Sequence, residues 1–133
     1  MSESLRKALV VDNDLTAREI VSSRLLDVGI SPRPFTCGKE AWKYIEKRSN
    51  NDILIVITAV RLHPGEGLTL LEKIKSHELF YKIPVIVMDN DLDPLFVHDA
   101  KRFEAHDYLQ KPLSEESLKA SLNRIPFLVK KTG

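Results

Sequence analysis

Whole classes of protein are excluded by what this 133-residue chain lacks. It has a single cysteine, Cys37, so no internal disulfide can form and no cysteine pair can hold a metal; we interpret it as a structural thiol. Its longest apolar run, Ile53 to Ile57, is far too short to cross a bilayer. Twenty basic side chains nearly balance nineteen acidic ones, and the net charge of +1 creates no field to concentrate nucleic acid or a membrane. We therefore expect a cytoplasmic protein.

Two further absences concern possible sites. The segment from Ile53 to Gly65 contains no aspartate or glutamate. The segment Asp89–Asp93 is similar to the start of a calcium loop, but Pro94 and Ala100 stand where that loop needs glycine and glutamate, so it predicts no calcium site. The four histidines have no spacing typical of a zinc site, so we expect them at the surface without a catalytic or metal-binding role: His63, His77, His98 and His106.

Short runs rich in valine and isoleucine alternate with segments of helical period along the chain. This alternation is typical of βαβ units, which build a parallel sheet covered on both faces. It predicts one α/β domain over residues 1–133, with a core at about 5–124 and a tail or linker at 125–133. The five βα units predict a three-layer, doubly wound sheet whose site lies where the strand order reverses.

The apolar runs predict five strands. They cover Ala8–Val11, Ile30–Phe35, Asp52–Ala59, Ile83–Met88 and Asp107–Gln110. Pro32 and Pro34 favour an edge position for the second strand, because proline cannot donate a ladder hydrogen bond. The third strand is apolar at successive positions, which indicates burial on both faces.

Helices are predicted between these strands and after the last one. Asp14 or Asn13 caps the first helix, Gly29 ends it, and Ser114 caps the fifth. The second helix covers Gly38–Arg48, and Pro94 begins the fourth. Apolar residues at helical spacing are the candidates for the inner faces of three helices. They are Ala17, Ile20, Val21, Leu25 and Val28 in the first helix, Leu68, Leu71 and Ile74 in the third, and Leu95, Phe96, Ala100 and Phe103 in the fourth.

Characteristic motifs follow three of the strands. Strand one ends in Asp12-Asn13-Asp14, a Pro64-Gly65 loop follows strand three, and strand five continues into Lys111-Pro112. With these motifs, residues 5–124 resemble the receiver domain of response regulators, of the chemotaxis type and flavodoxin-like fold. The resemblance implies the strand order 2-1-3-4-5 and a role in two-component signal transduction. It also implies phosphorylation of an aspartate at the end of strand three.

Some of the receiver family's site positions are retained in this sequence. Asp12 matches the first member of the acidic pair that closes strand one, and Lys111 matches the lysine after strand five. Tyr108 occupies the family's aromatic switch position. The resemblance also implies a cis peptide bond between Lys111 and Pro112. Because Lys111 has no phosphorylated partner, we expect it to pair with Asp89 or Asp12.

The remaining positions depart from the family. The second acidic position, normally a magnesium ligand, falls on Asn13, and the switch hydroxyl position falls on Asp89. The acceptor position falls on Ala59 or a neighbour, and every register lacks the aspartate. This pattern predicts a degenerate phosphorylation site, weak or absent magnesium binding and no other cofactor. The domain is then a pseudo-receiver, not an enzyme, that acts by protein–protein interaction.

Two alternatives stay open. A conventional phosphorelay receiver would accept phosphate at a non-standard residue such as Asp12 or Asp89. A flavodoxin-like enzyme or nucleotide binder is disfavoured, because the segment Asn13–Thr16 after strand one has no glycine-rich phosphate loop. The resemblance implies that a signalling protein, an effector domain or a second copy docks on the fourth helix, fifth strand and fifth helix. Our candidates for that contact are Phe96, Val97, Phe103 and Lys119.

Overall fold

A computed structural model describes residues 7–47, 53–61, 67–91 and 94–125, which contain five strands and five helices. The strands are β1 (Lys7–Val11), β2 (Ser31–Phe35), β3 (Ile53–Ala59), β4 (Val85–Asp89) and β5 (Asp107–Gln110). They form one parallel sheet in the order β2-β1-β3-β4-β5. Parallel crossovers are right-handed, so the reversal of strand order at β1 and β3 distributes the helices over both faces. The predicted fold class and strand order are confirmed.

The helices are α1 (Leu15–Asp27), α2 (Gly38–Glu46), α3 (Gly67–Lys75), α4 (Pro94–Arg102) and α5 (Glu115–Asn123). Two predicted caps are confirmed: the Asp14 carboxylate accepts a hydrogen bond from the Thr16 N–H at 3.1 Å, and the Ser114 hydroxyl accepts one from the Ser117 N–H at 3.0 Å. Gly29 follows α1 with a φ of +80°, which suits glycine.

The core lies on both faces of the three central strands. All seven residues of β3 are buried, as the unbroken apolar run predicted. Val21 and Leu25 of α1 pack into this core, whereas Ile20 and Val28 are only half-buried. Burial of these apolar surfaces is the main source of the domain's stability.

The edge strand β2 carries its prolines on the outward side. The Phe35 carbonyl accepts a hydrogen bond from the Asp12 N–H at 3.1 Å, so the polar groups of Phe35 face β1. Because the polar groups of successive strand residues alternate between the two edges, those of Pro32 and Pro34 face outward. These two positions therefore offer no N–H group to another strand.

Helix α4 differs from the prediction. Phe96 and Ala100 are buried, but Leu95 is 77% exposed, and Phe103 lies after the end of the helix and is half-buried. Leu95 shares its helical face with Asp99 and Arg102, so this face turns to solvent. Phe96 was also a candidate for partner contact, and at 6% exposure it belongs to the core instead.

Several predicted boundaries shift or cannot be compared. Strand β4 begins at Val85, because the Ile83 N–H donates to the Phe80 carbonyl in the turn before it, and the strand ends at Asp89. The predicted features that lie outside the described residues are Arg48, Asp52, His63, the Pro64–Gly65 loop, Asp93 and the tail after Ile125. Within the ranges given above, no helix is both long and apolar enough to span a membrane.

Candidate functional site at the carboxyl edge of the sheet

The site residues lie where four neighbouring strands end. Asp12 follows β1, Ala59 ends β3, Asp89 ends β4 and Lys111 follows β5. The register pairs Val11 with Thr58, Ala59 with Met88 and Asp89 with Gln110, so these strands end almost level with one another. Side chains that are far apart in sequence thereby gather at one edge of the sheet.

Asp12 and Lys111 form a buried ion pair. The Lys111 Nζ lies 2.8 Å from Asp12 Oδ2, and the two side chains are 14% and 1% exposed. Oδ2 makes no directional hydrogen bond within the described ranges, so charge attraction holds this contact. Asp12 Oδ1 accepts a hydrogen bond from the Asp14 N–H at 3.0 Å. Of the two partners left open for Lys111, the structure selects Asp12, and the pair joins the ends of β1 and β5 across the two strands between them.

Asp89 has a different cation. Arg61, two residues after the end of β3, places its Nε 3.2 Å and 3.1 Å from the two Asp89 carboxylate oxygens, with an Nη2–Oδ2 distance of 3.0 Å. The Asp89 side chain is 5% exposed and that of Arg61 is 67% exposed. Sequence reasoning missed Arg61. The signal that could have revealed it is a basic residue two positions after a strand whose neighbour ends in a carboxylate.

Ala59 and Asn13 complete the edge without adding charge. The Ala59 side chain is a methyl group and the residue is 3% exposed, while Asn13 is exposed. Helix α3 begins against this strand end: a Cβ on Gly67 would lie 1.8 Å from the Ala59 carbonyl oxygen. The close approach requires glycine at position 67 and leaves little space over the end of β3.

A magnesium ion, which the resemblance to receiver domains implies, does not fit these residues. Magnesium requires hard oxygen ligands, usually carboxylates, in an octahedral shell. The Asp12 and Asp89 carboxylates each face a side-chain cation at 2.8–3.2 Å, and the methyl group of Ala59 offers no ligand. No group of three or more aspartate, glutamate, histidine or cysteine residues that could hold a metal occurs among the residues described.

The β5 and α5 side of the site carries the remaining predicted residues. The Lys111–Pro112 peptide bond is cis, which confirms the prediction. Tyr108 is half-buried, with the Lys101 Nζ 5.8 Å from its ring centre. Lys119 is exposed and pairs with Glu115 at 3.0 Å. The hydrogen bond and charge of Lys119 lower the pKa of Glu115.

Two of the four histidines are only partly exposed at the surface. His77 is half-buried and stacks on Phe80 with 4.4 Å between ring centres. His106 is also half-buried, and its Nε2 lies 2.9 Å from the Ser121 carbonyl oxygen. His98 is exposed as expected, and His63 lies outside the described residues.

Comparison with known proteins identifies the family. Residues 8–123 match the family described as response regulator receiver domain. The chain belongs to this family. The receiver domain is 34% identical over 113 residues to the two-component response regulator-like protein PRR37 of Oryza sativa subsp. japonica. That match covers 85% of this chain and 15% of PRR37, so the chain spans only a small part of the first curated relatives.

Two other matches cover more than nine-tenths of the matched protein. The receiver domain is 30% identical to the chemotaxis protein CheY1 of Helicobacter pylori, over 87% of this chain and 93% of that protein. A solved structure of a putative response regulator from Chloroflexus aurantiacus superimposes with a TM-score of 0.82 at 26% identity, covering 93% of this chain and 98% of that one. The receiver domain is therefore a signal-transduction module.

Proposed function

We propose that this receiver domain transmits signals without being phosphorylated, as a non-enzymatic cytoplasmic module that binds a signalling protein or an effector domain. One observation carries the proposal: both buried carboxylates at the carboxyl edge face internal cations, and Ala59 ends the strand on which the family's acceptor lies. Degeneracy of the phosphorylation site at Asp12, Asn13, Ala59, Asp89 and Lys111 is part of this proposal.

The chemistry of phosphoryl transfer supports it. Transfer to a carboxylate needs an oxygen nucleophile in line with the donor and a cation that offsets the developing charge. Ala59 has no such oxygen. Asp12 and Asp89 are 1% and 5% exposed at their side chains, and an attack by either would separate it from Lys111 or Arg61. A conventional receiver that accepts phosphate at one of these residues is thus disfavoured.

The phosphate analogue beryllofluoride tests this part of the proposal. Backbone amide spectra are recorded with magnesium alone and then with magnesium and beryllofluoride. We expect no saturable shift under either condition. Saturable shifts around Asp12 and Lys111 would contradict the proposal and favour the conventional phosphorelay receiver.

We further propose that the partner, or a second copy of the chain, docks on the face formed by α4, β5 and α5. Val97 and Phe103 are half-buried there, and Lys119 is exposed. Apolar side chains that are only half-buried beside a charged side chain are suited to a protein contact. Tyr108 lies at the edge of this face under Lys101.

Charge substitutions on this face test the docking proposal. Val97→Asp and Lys119→Glu are compared with Leu79→Asp, which changes an exposed leucine, at 71%, before β4 and outside this face. We expect the first two variants to lose self-association in sedimentation, or to lose capture of a candidate response-regulator effector domain. Leu79→Asp should associate like the parent, and all variants should keep the parental circular dichroism spectrum. If Val97→Asp and Lys119→Glu associate like the parent, this face is not the docking surface.

A further inference from the structure

We infer that the Arg61–Asp89 pair is a built-in lock that fixes the ends of β3 and β4 in one arrangement without metal or phosphate. This inference rests on the proposed function, since it explains how a receiver domain without phosphorylation holds a defined state. The metal that the fold implies does not fit the site, and Arg61 supplies a permanent cation from within the chain. Arg61 is therefore a positioning residue.

The contacts of Asp89 show why its cation matters. Besides Arg61, Asp89 Oδ1 accepts a hydrogen bond from the Asn90 N–H at 2.9 Å, and the Asp89 carbonyl accepts one from the Lys111 N–H at 2.8 Å. The Gln110 side chain in turn donates to the Asn90 carbonyl at 2.9 Å. Asp89 thus connects the segment after β3, the start of the β4–α4 connection and the end of β5.

The two ion pairs depend on each other. A carboxylate that is 5% exposed needs a counter-charge, because a buried unpaired charge is strongly unfavourable. If Arg61 were lost, the ammonium of Lys111 would be a nearby candidate, but moving it to Asp89 would leave Asp12 unpaired at 1% exposure. Because Asp12 and Asp89 each have their own cation, a single arrangement of the side chains at the carboxyl edge of the sheet is favoured.

Hydrogen exchange measures this lock directly. Arg61→Gln removes the charge but keeps a polar side chain, and Arg61→Lys keeps the charge but loses the bidentate geometry. The matched control is Arg33→Gln, which changes an exposed arginine on β2. Exchange is followed by mass spectrometry in peptides that cover the end of β4 and α4, with α1 as an internal reference.

We expect Arg61→Gln to speed exchange at the end of β4 and in α4 about tenfold, a change of about 1.4 kcal/mol in opening free energy. The exchange rate of Arg61→Lys should lie between those of the parent and Arg61→Gln. Exchange in α1 should keep the parental rate in every variant, and Arg33→Gln should keep the parental rates throughout. Asp89→Asn combined with Arg61→Gln should add little to either single change, because both remove the same pair. Should Arg61→Gln open α1 as fast as α4, the change would be global unfolding and the lock would be refuted.

If Arg61→Gln exchanges hydrogen in the β4–α4 region at the same rate as the parent, the lock is refuted. Every sample is also measured with magnesium and beryllofluoride. Protection that appears in the parent only with beryllofluoride would contradict the proposed function, whereas unaltered exchange in Arg61→Gln refutes the lock alone.

Discussion

Removing Lys111 should cost more stability than any surface ion pair of this domain. In Lys111→Met the Asp12 carboxylate stays 1% exposed and loses its counter-charge. At 2.8 Å and an effective dielectric constant of about 20, the Coulomb attraction is about 6 kcal/mol, much of which offsets the desolvation of the two charges. Breaking a buried pair from one side typically costs about 3–5 kcal/mol. We expect this loss, equivalent to a drop of roughly 10–20 °C in melting temperature.

The opposite substitution should be milder. In Asp12→Asn the Lys111 ammonium, already 14% exposed, can turn toward water. The asparagine oxygen can still accept the Asp14 N–H, so we expect a loss of only about 1–3 kcal/mol. The double variant should lose less than the sum of the two single losses, by at least about 1 kcal/mol.

Urea unfolding followed by circular dichroism provides the measurement, with the slope m checked for constancy across variants. Lys119→Met is the control, because its pair with Glu115 is exposed and should leave the midpoint almost unchanged. A loss below about 1 kcal/mol for Lys111→Met, or additive single losses, would refute the reasoning that this pair is buried and coupled.

Four further predictions concern the scaffold. Glu104 has a φ of 64°, so Glu104→Gly should raise stability by up to about 1 kcal/mol in thermal unfolding, whereas Gly29→Ala, at a φ of +80°, should lower it by about 1–2 kcal/mol. Gly67→Ala should cost at least about 3 kcal/mol in urea unfolding, because its Cβ would meet the Ala59 carbonyl. Burial lowers the pKa of Lys75 from 10.5, with an opposing contribution from the charge of Glu104. Just below pH 10.5 the unfolded chain therefore binds more protons than the folded chain, so the free energy of unfolding should rise with pH in that window. Lys75→Met should remove this rise, as measured by the urea midpoint at each pH.

The fold could be predicted because its signals are local. The unbroken apolar run of β3, the prolines of β2 and the caps Asp14 and Ser114 each specify one element through its own residues. The inner face of α4 was also within reach: Phe96 repeats with Ala100 and Phe103 at helical spacing, whereas Leu95 repeats with Asp99 and Arg102.

The pairing of charges at the site could be predicted only in part. Sequence reasoning limited Lys111 to Asp12 or Asp89, but the choice depends on where Arg61 lies, and Arg61 is 28 residues from its partner. The pairing follows from the register of β3 against β4, which places the segment after Ala59 beside the end of β4. No local pattern encodes that register.

The central claim is that this receiver domain accepts no phosphoryl group, and intact mass measured after incubation with acetyl phosphate and magnesium tests it most directly. A variant with Asn13→Asp, Ala59→Asp and Asp89→Thr restores the family's residues in the same scaffold and serves as the reference. We predict that the mass of the parent chain stays unchanged under conditions in which this variant gains one phosphoryl group. A phosphoryl group on the parent chain, at Asp12, Asp89 or any other residue of the site, would contradict the claim.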